Sequence, residues 1–313
     1  MRLVFLGTPA FAVPTLERTV AAGHQVTAVV TQPDRPRGRG QHPAPPPVKE
    51  CAMRLGLPVY QPERVRRPEA IEFLRAQAAD AMVVVGYGQI IPQSAIDLAP
   101  LGIVNVHASL LPRYRGAGPI QWAIVNGETR TGVTTMRIDA GLDTGDMLLK
   151  RETEIGPEEN AIELGRRLAE MGAELLVETL DGLAAGAIAP QKQDPAQATY
   201  APLLKKEDGL IDWRQPAASI HNRVRGLQPW PGAHTTFRGQ ALHVWKARVA
   251  AGSAAMAVPP GRVAAVRPLT VACGSGALEI LELQIEGRKR MSAADFANGQ
   301  RLSDNEVLGD PRT

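Results

Sequence analysis

Asp80-Ala81-Met82-Val83-Val84-Val85-Gly86 is the stretch on which the fold turns. Its apolar residues run without a polar break between an aspartate and a glycine. A strand with one wet face alternates in polarity. An unbroken apolar run is instead buried on both faces, as in a parallel sheet covered by helices. Working outward, Arg2–Gly7 and the β-branched Gln25–Thr31 read as strands, and Ile103–Val106 as a further short one. Helical patterns lie between them over Phe11–Ala22, Val48–Leu55 and Glu69–Ala78, with Gly23 and Gly56 closing the first two. This alternation predicts an α/β fold, an open parallel sheet with helices on both sides.

The rest of the chain has a different texture. After Pro157, Ala161, Leu164, Leu168, Met171 and Leu175 repeat at helical spacing, and the pattern fades near Gly182. Ala184–Thr199 is rich in Ala, Gln and Pro and reads as a linker. Beyond it, Thr235–Phe237, Leu242–Trp245, Gly261–Val266, Leu269–Ala272 and Leu278–Gln284 are short β-like pieces separated by turn residues, which suggests a small barrel. Ala250–Pro260 reads as a surface loop. The 313 residues suit two domains. The expected division is a catalytic domain over 1–187, a linker over 188–204 and a second domain over 205–313.

Composition removes several function classes. Hydrophobic residues make up 44% and charged residues 21%, which is ordinary for a globular protein and unlike a disordered one. The two cysteines, Cys51 and Cys273, lie far apart and fit neither a disulfide framework nor a metal-ligand spacing. A reducing cytoplasm and no metal are therefore expected. Leu3–Leu16 is uncharged and follows Arg2, like the start of a signal peptide, but its apolar run ends at Gly7 as a strand does. No uncharged apolar run reaches the ~18 residues of a membrane span. Residues 1–204 carry 20 Lys and Arg against 22 Asp and Glu, while residues 205–313 carry 15 against 10. The second half suits a polyanionic partner.

Two stretches carry chemistry: Asn105-Val106-His107-Ala108-Ser109-Leu110-Leu111-Pro112-Arg113-Tyr114-Arg115-Gly116 and Asp139-Ala140-Gly141-Leu142-Asp143-Thr144-Gly145-Asp146. Asn105 and His107 are two apart at the end of a predicted strand, so their side chains share a face. Ligands bind at this end of parallel strands. An amide and an imidazole aimed at one place suit an oxygen that becomes negative during acyl transfer. A carboxylate from the Gly/Asp-rich loop could hold the imidazole or take a proton. The residues alone leave Asp139, Asp143 and Asp146 open for that role.

The paired stretches resemble the folate-dependent formyltransferases. In that family an Asn and a His two apart precede a Ser-Leu-Leu-Pro loop, and a catalytic Asp follows from a later Asp-x-Gly loop. The resemblance implies Asn105, His107 and Asp143 as catalytic residues. It implies folate binding by Ser109, Leu110, Leu111, Pro112, Gln89, Ile90, Ile91 and Leu142, with 10-formyltetrahydrofolate as co-substrate. Phe5–Ala12, Thr31–Pro36, Gly38-Arg39-Gly40, Arg113–Gly116, Pro119–Gln121, Ile211–Trp213 and Arg225–Gly232 resemble the members of the family that formylate methionine carried on initiator tRNA. The similarity spans Met1 to about Arg301. It implies a Rossmann-like N-terminal domain, an OB-like C-terminal barrel and a monomer.

Asp34–Pro47 is a long connection in which Arg35, Arg37 and Arg39 alternate with Pro and Gly. By the resemblance it meets the acceptor end of charged initiator tRNA, with Arg39 the main contact. Related enzymes often carry lysines where Gln41 and His42 stand, so this loop is less basic than it could be. Lys205, Lys206, Arg223, Arg225 and Lys246 are the candidate phosphate contacts of the second domain, joined by Arg248 and Arg288-Lys289-Arg290. Competing classes fit less well. Thr8-Pro9-Ala10-Phe11 follows Gly7 where a nicotinamide enzyme needs Gly-x-Gly-x-x-Gly. A non-catalytic RNA-binding module leaves Asn105, His107 and Asp143 without purpose. A formyltransferase for small amines lacks the arginine-rich loop combined with this second domain.

Overall fold

The computed structural model describes residues 1–37, 42–251, 258–304 and 306–309. Two compact units emerge. One comprises Met1–Pro119, Arg130–Glu154 and Gly165–Ala201; the other comprises Ile120–Thr129, Ile155–Leu164 and the residues from Pro202 onward. The two short excursions into the second unit are marked by no shift in composition.

The first unit begins with β1 (Arg2–Gly7), α1 (Val13–Ala21) and β2 (Gln25–Val30), then a ribbon of β3 (Arg35–Arg37) and β4 (His42–Ala44). It continues through α2 (Pro47–Arg54), β5 (Val59–Tyr60), α3 (Pro68–Ala76), β6 (Ala81–Val85), α4 (Gln93–Ile96), β7 (Ile103–His107) and β8 (Arg115–Gly116). Past α5 (Pro119–Val125) come β9 (Arg130–Arg137), β10 (Met147–Glu154), α6 (Ala161–Ala184) and β11 (Tyr200–Ala201). Pro47 and Pro68 open their helices, where a missing N–H interrupts no helical bond.

The sheet runs β10-β9-β7-β6-β1-β2-β5. From β7 to β5 all pairings are parallel, as expected. Beyond the parallel part read from the sequence, β9 runs antiparallel to β7 and β10 antiparallel to β9 at the other edge. Val4, Leu6, Met82, Val84 and Ile103 pack on one face with Ile71 and Leu74 of α3 and Ala95 of α4. Val106 faces the other way, against α6, where a Cβ on Gly172 would lie 2.8 Å from it. Helices therefore cover both faces. The segment read as a linker is tied to the first unit: Gln191 and Met147 exchange two backbone bonds of 2.8 Å, and β11 pairs parallel with β8.

The second unit contains α7 (Ala217–Gly226), β12 (Ala233–Phe237), β13 (Gln240–Val249), β14 (Val263–Val266), β15 (Leu269–Ala272), β16 (Ala277–Ile285), β17 (Met291–Ser292) and α8 (Ala293–Gly299). Its strands run β12-β13-β16-β15-β14, with β17 on β16. Val307 bridges Arg262 beside β14, and Leu308 bridges Phe237 of β12. These two bridges return the chain of pairings to its start and make the sheet a small barrel. Trp213, Ile220, Phe237, Leu242, Leu278 and Phe296 fill it. The loop read over Ala250–Pro260 lies largely outside the described residues. Both cysteines are buried and unpaired, and burial pushes the Cys273 thiol up to about 12. Among the described residues no helix is long and apolar enough to cross a membrane.

Candidate active site

β7 is the seam of the sheet, with parallel β6 on one side and antiparallel β9 on the other. Asn105 lies level with Val84 and Met136, and His107 with Thr134. Alternation from Ile103 puts both side chains on the α3–α4 face. Each is buried, Asn105 at 9% exposure and His107 at 6%. No hydrogen bond to the Asn105 amide is formed among the described residues, which leaves a donor at the strand end.

His107 is fixed through Nε2, which lies 2.9 Å from the Tyr114 carbonyl. A carbonyl only accepts, so this nitrogen carries the proton it donates. The sequence suggests two donors side by side. In the structure one imidazole nitrogen is spent on the backbone, and the other, Nδ1, faces Asp143 Oδ2 at 3.7 Å. That same Oδ2 accepts from the Gly116 N–H at 2.8 Å.

The three candidate acids differ in what their carboxylates do. Asp139 accepts from the Gly141 N–H at 3.0 Å and from the Thr144 hydroxyl at 2.7 Å, so it shapes its own loop. Asp146 takes part through its backbone carbonyl, which accepts from the Arg137 N–H at 2.9 Å. Asp143 alone of the three turns its carboxylate to His107. It sits in the left-handed region at φ 51°, which aspartate tolerates better than most residues. Gly145 shapes the loop because a Cβ there would meet the Arg137 carbonyl at 1.9 Å.

The Ser109–Pro112 loop leaves β7 beside these groups and contains a cis Leu111–Pro112 bond. Leu111 is buried with Met136 and Met147. The Thr134 hydroxyl donates to the Ser109 carbonyl at 2.7 Å and accepts from the Leu111 N–H at 3.1 Å. Lys150 Nζ donates to the Leu111 carbonyl at 2.6 Å, and desolvation lowers its pKa. The Ser109 hydroxyl donates to the Arg113 carbonyl at 2.6 Å. Leu110 is half-buried and the Leu110 carbonyl accepts from the Arg113 N–H.

The other folate candidates divide. Ile90 and Leu142 are exposed at 90% and 60%, unusual for large apolar side chains, while Ile91 belongs to the core around α3 and α4. The Gln89 side chain is engaged by the Val65 N–H and the Glu63 carbonyl. Among the RNA candidates Arg35 is exposed on the β3–β4 ribbon, where the sequence suggested a loop without regular structure. Arg39 and the Arg37 side chain lie outside the described residues. At the ribbon's base, hydrogen bonds from Gln61 and Lys49 hold the Asp34 carboxyl below its usual range.

Lys205, Lys206 and Lys246 are exposed, and Arg223 donates to the Asp208 carbonyl. Arg225 differs from the phosphate contact expected of it. It is buried, and its guanidinium is spent on the Gly156 and Glu159 carbonyls and on Asn222. Sequence reasoning did not single out Thr134, Lys150 or Gln193, because each acts on a backbone group far along the chain, nor Tyr114, which acts through its own carbonyl. Among the described residues no cluster of three or more His, Cys, Asp or Glu is placed to hold a metal ion.

The formyl transferase family model matches residues 1–180, and the formyl transferase C-terminal domain model matches residues 203–301. A methionyl-tRNA formyltransferase of Solibacter usitatus is 76% identical over 99% of each chain. One from Citrifermentans bemidjiense is 53% identical over 99% of this chain and 96% of its own. Among solved structures, HypX from Aquifex aeolicus in complex with tetrahydrofolic acid superposes with a TM-score of 0.65 at 17% identity, covering 99% of this chain and 51% of that one. The structural likeness speaks to the fold, and the sequence likeness to the family. From end to end, the chain belongs to the methionyl-tRNA formyltransferase family.

Proposed function

We propose that the protein transfers a formyl group from 10-formyltetrahydrofolate to the amino group of methionine esterified to initiator tRNA, for translation initiation. The observation that carries this reading is the Asp143 carboxylate, pinned by Gly116 and turned to His107 Nδ1, with the Asn105 amide, two residues back on β7, without a hydrogen-bond partner among the described residues. 10-Formyltetrahydrofolate supplies the one-carbon group. An apolar ring system fits residues on the page: Ile90 and Leu142 hold large apolar side chains in solvent, and the Ser109–Pro112 loop is braced from beneath by Thr134 and Lys150. Asn105 donates to the formyl oxygen as negative charge builds on it. The acceptor amine attacks the formyl carbon in its neutral form, Asp143 takes the proton it sheds, and the formyl C–N10 bond breaks as that proton passes to N10, so that tetrahydrofolate leaves. His107, held by the Tyr114 carbonyl, keeps Nδ1 turned to that carboxylate.

Arg35, Arg37, Arg39, Lys205, Lys206, Arg223 and Lys246 contact the tRNA. The excess of basic over acidic residues in 205–313 supports this assignment. The enzyme acts as a monomer in the cytoplasm, which holds charged tRNA and suits two unpaired thiols. The test measures formylation of charged initiator tRNA beside a nucleotide sugar amine and glycinamide ribonucleotide, with Asn105→Ala and His107→Ala enzymes in parallel. Charged initiator tRNA is the preferred acceptor; Asn105→Ala loses about 10²–10³ in kcat, the scale for one oxyanion donor, and His107→Ala loses a comparable factor because the Asp143 carboxylate loses the ring it faces. Near-normal turnover in both variants removes these side chains from the chemistry.

A further inference from the structure

We propose that Gln193 is a positioning residue for Asp143, so that formyl transfer depends on an amide that touches no substrate. The inference deepens the reading of Asp143 given above and rests on it. Gln193 lies between α6 and β11 and is buried at 8% exposure. Its Nε2 donates to the carbonyls of Asp143 and Gly145, each at 2.8 Å. Its Oε1 accepts from Arg115 Nε at 3.0 Å and from Arg115 Nη2 at 2.8 Å. Arg115 is itself buried at 5% exposure. The next residue, Gly116, donates its N–H to Asp143 Oδ2.

These bonds close a circuit. Gln193 holds the backbone that carries Asp143, and through Arg115 it holds the strand that pins the Asp143 carboxylate. Both amide hydrogens are used and the oxygen takes two donors, which leaves the side chain nothing to offer a ligand. Asp143 needs such support, because a residue other than glycine stays in the left-handed region only where its surroundings over-determine it. A glutamine alone brings two donors and an acceptor at this reach. Glutamate would set an acceptor against two carbonyls, and methionine fills the volume with neither function.

The test is steady-state kinetics of formylation for Gln193→Met, Gln193→Glu, Asp143→Asn and the double variant Asp143→Asn/Gln193→Met. Misplacing a reacting group by about 1 Å costs up to roughly 10²-fold in rate. Both Gln193 variants should therefore lose about 10–100-fold in kcat with KM for both substrates within about twofold. The double variant should be no slower than Asp143→Asn, because a residue that acts through Asp143 has nothing left to position. Should Gln193→Met fail to fold, Gln193→Glu keeps the acceptor for Arg115 and carries the test. Wild-type kcat in the Gln193 variants, or losses that multiply in the double variant, overturns the proposal. If Asp143→Asn itself turns over at the wild-type rate, the reading of Asp143 falls and takes this inference with it. If Asp143→Asn is slow while the Gln193 variants are fast, only the inference falls.

Discussion

The two halves of the first unit's sheet are built from different materials. From β5 to β7 the strands are parallel and mainly apolar, and β6 is buried along its whole length. At the other edge, β9 is buried over six of its eight residues yet carries Thr131, Thr134 and Thr135. Two of those hydroxyls are occupied: Thr135 pairs with Thr179 at 2.8 Å, and Thr134 braces the Ser109–Leu111 turn. The parallel half supplies a frame whose only requirement is apolar volume. The antiparallel half supplies fittings, and the loop between β9 and β10 delivers Asp143. The candidate active site lies on β7, the strand the halves share, because there a rigid strand end and an adjustable polar loop meet.

The strongest way to break this comparison is Gly145→Ala. A new Cβ 1.9 Å from the Arg137 carbonyl must displace the loop that carries Asp143. Expected is a loss of at least about 10² in kcat with β6 and its neighbours intact, measured by steady-state formylation alongside near-ultraviolet circular dichroism. A variant within a few-fold of the wild-type rate would mean the loop tolerates displacement and is no fitting at all. Thr134→Val should act more gently. It keeps the shape but leaves the Leu111 N–H and the Ser109 carbonyl without their buried partner. That loss is worth about 1–3 kcal/mol. It should appear mainly as a KM for the folate substrate raised roughly tenfold, with kcat less affected. An unchanged KM would show that the Ser109–Pro112 loop holds its shape without β9.

The same contrast explains what could be read from the sequence. β1, β2, β6 and β7 were legible because buried parallel strands need only unbroken apolar residues, and α6 because its leucines keep helical spacing. β9 was not. Its threonines interrupt the apolar pattern, and a pattern cannot show that their hydroxyls find partners elsewhere. Asn105 and His107 were legible as a pair on one face, but the hydrogen bond that turns the imidazole, to the Tyr114 carbonyl, was not. Among three acids in one loop, sequence spacing offered no choice. The choice is visible once Asp139 is seen bonded to Gly141 and Thr144. Gln193 sits in an Ala-, Gln- and Pro-rich stretch that resembles a linker, and its partners lie 48 to 78 residues away. Arg225 looks like a phosphate contact until its carbonyl partners, 66 and 69 residues distant, are known.

The smallest effect on rate is expected where the frame itself is thinned. Val83 lies at the centre of β6, fully buried, level with Phe5 of β1 and Val104 of β7. Val83→Ala removes apolar volume and no hydrogen bond. It should cost about 2 kcal/mol of stability by lost burial and the cavity left behind. For a unit of this size that lowers Tm by roughly 4–8 °C. kcat and KM, measured well below the transition, should stay within about twofold, because no fitting of the site has moved. This inverts the pattern of Gly145→Ala, where rate falls far more than stability. If Val83→Ala slows turnover as much as the loop variants do, frame and fittings are one cooperative structure, and the division between the two halves has no functional meaning.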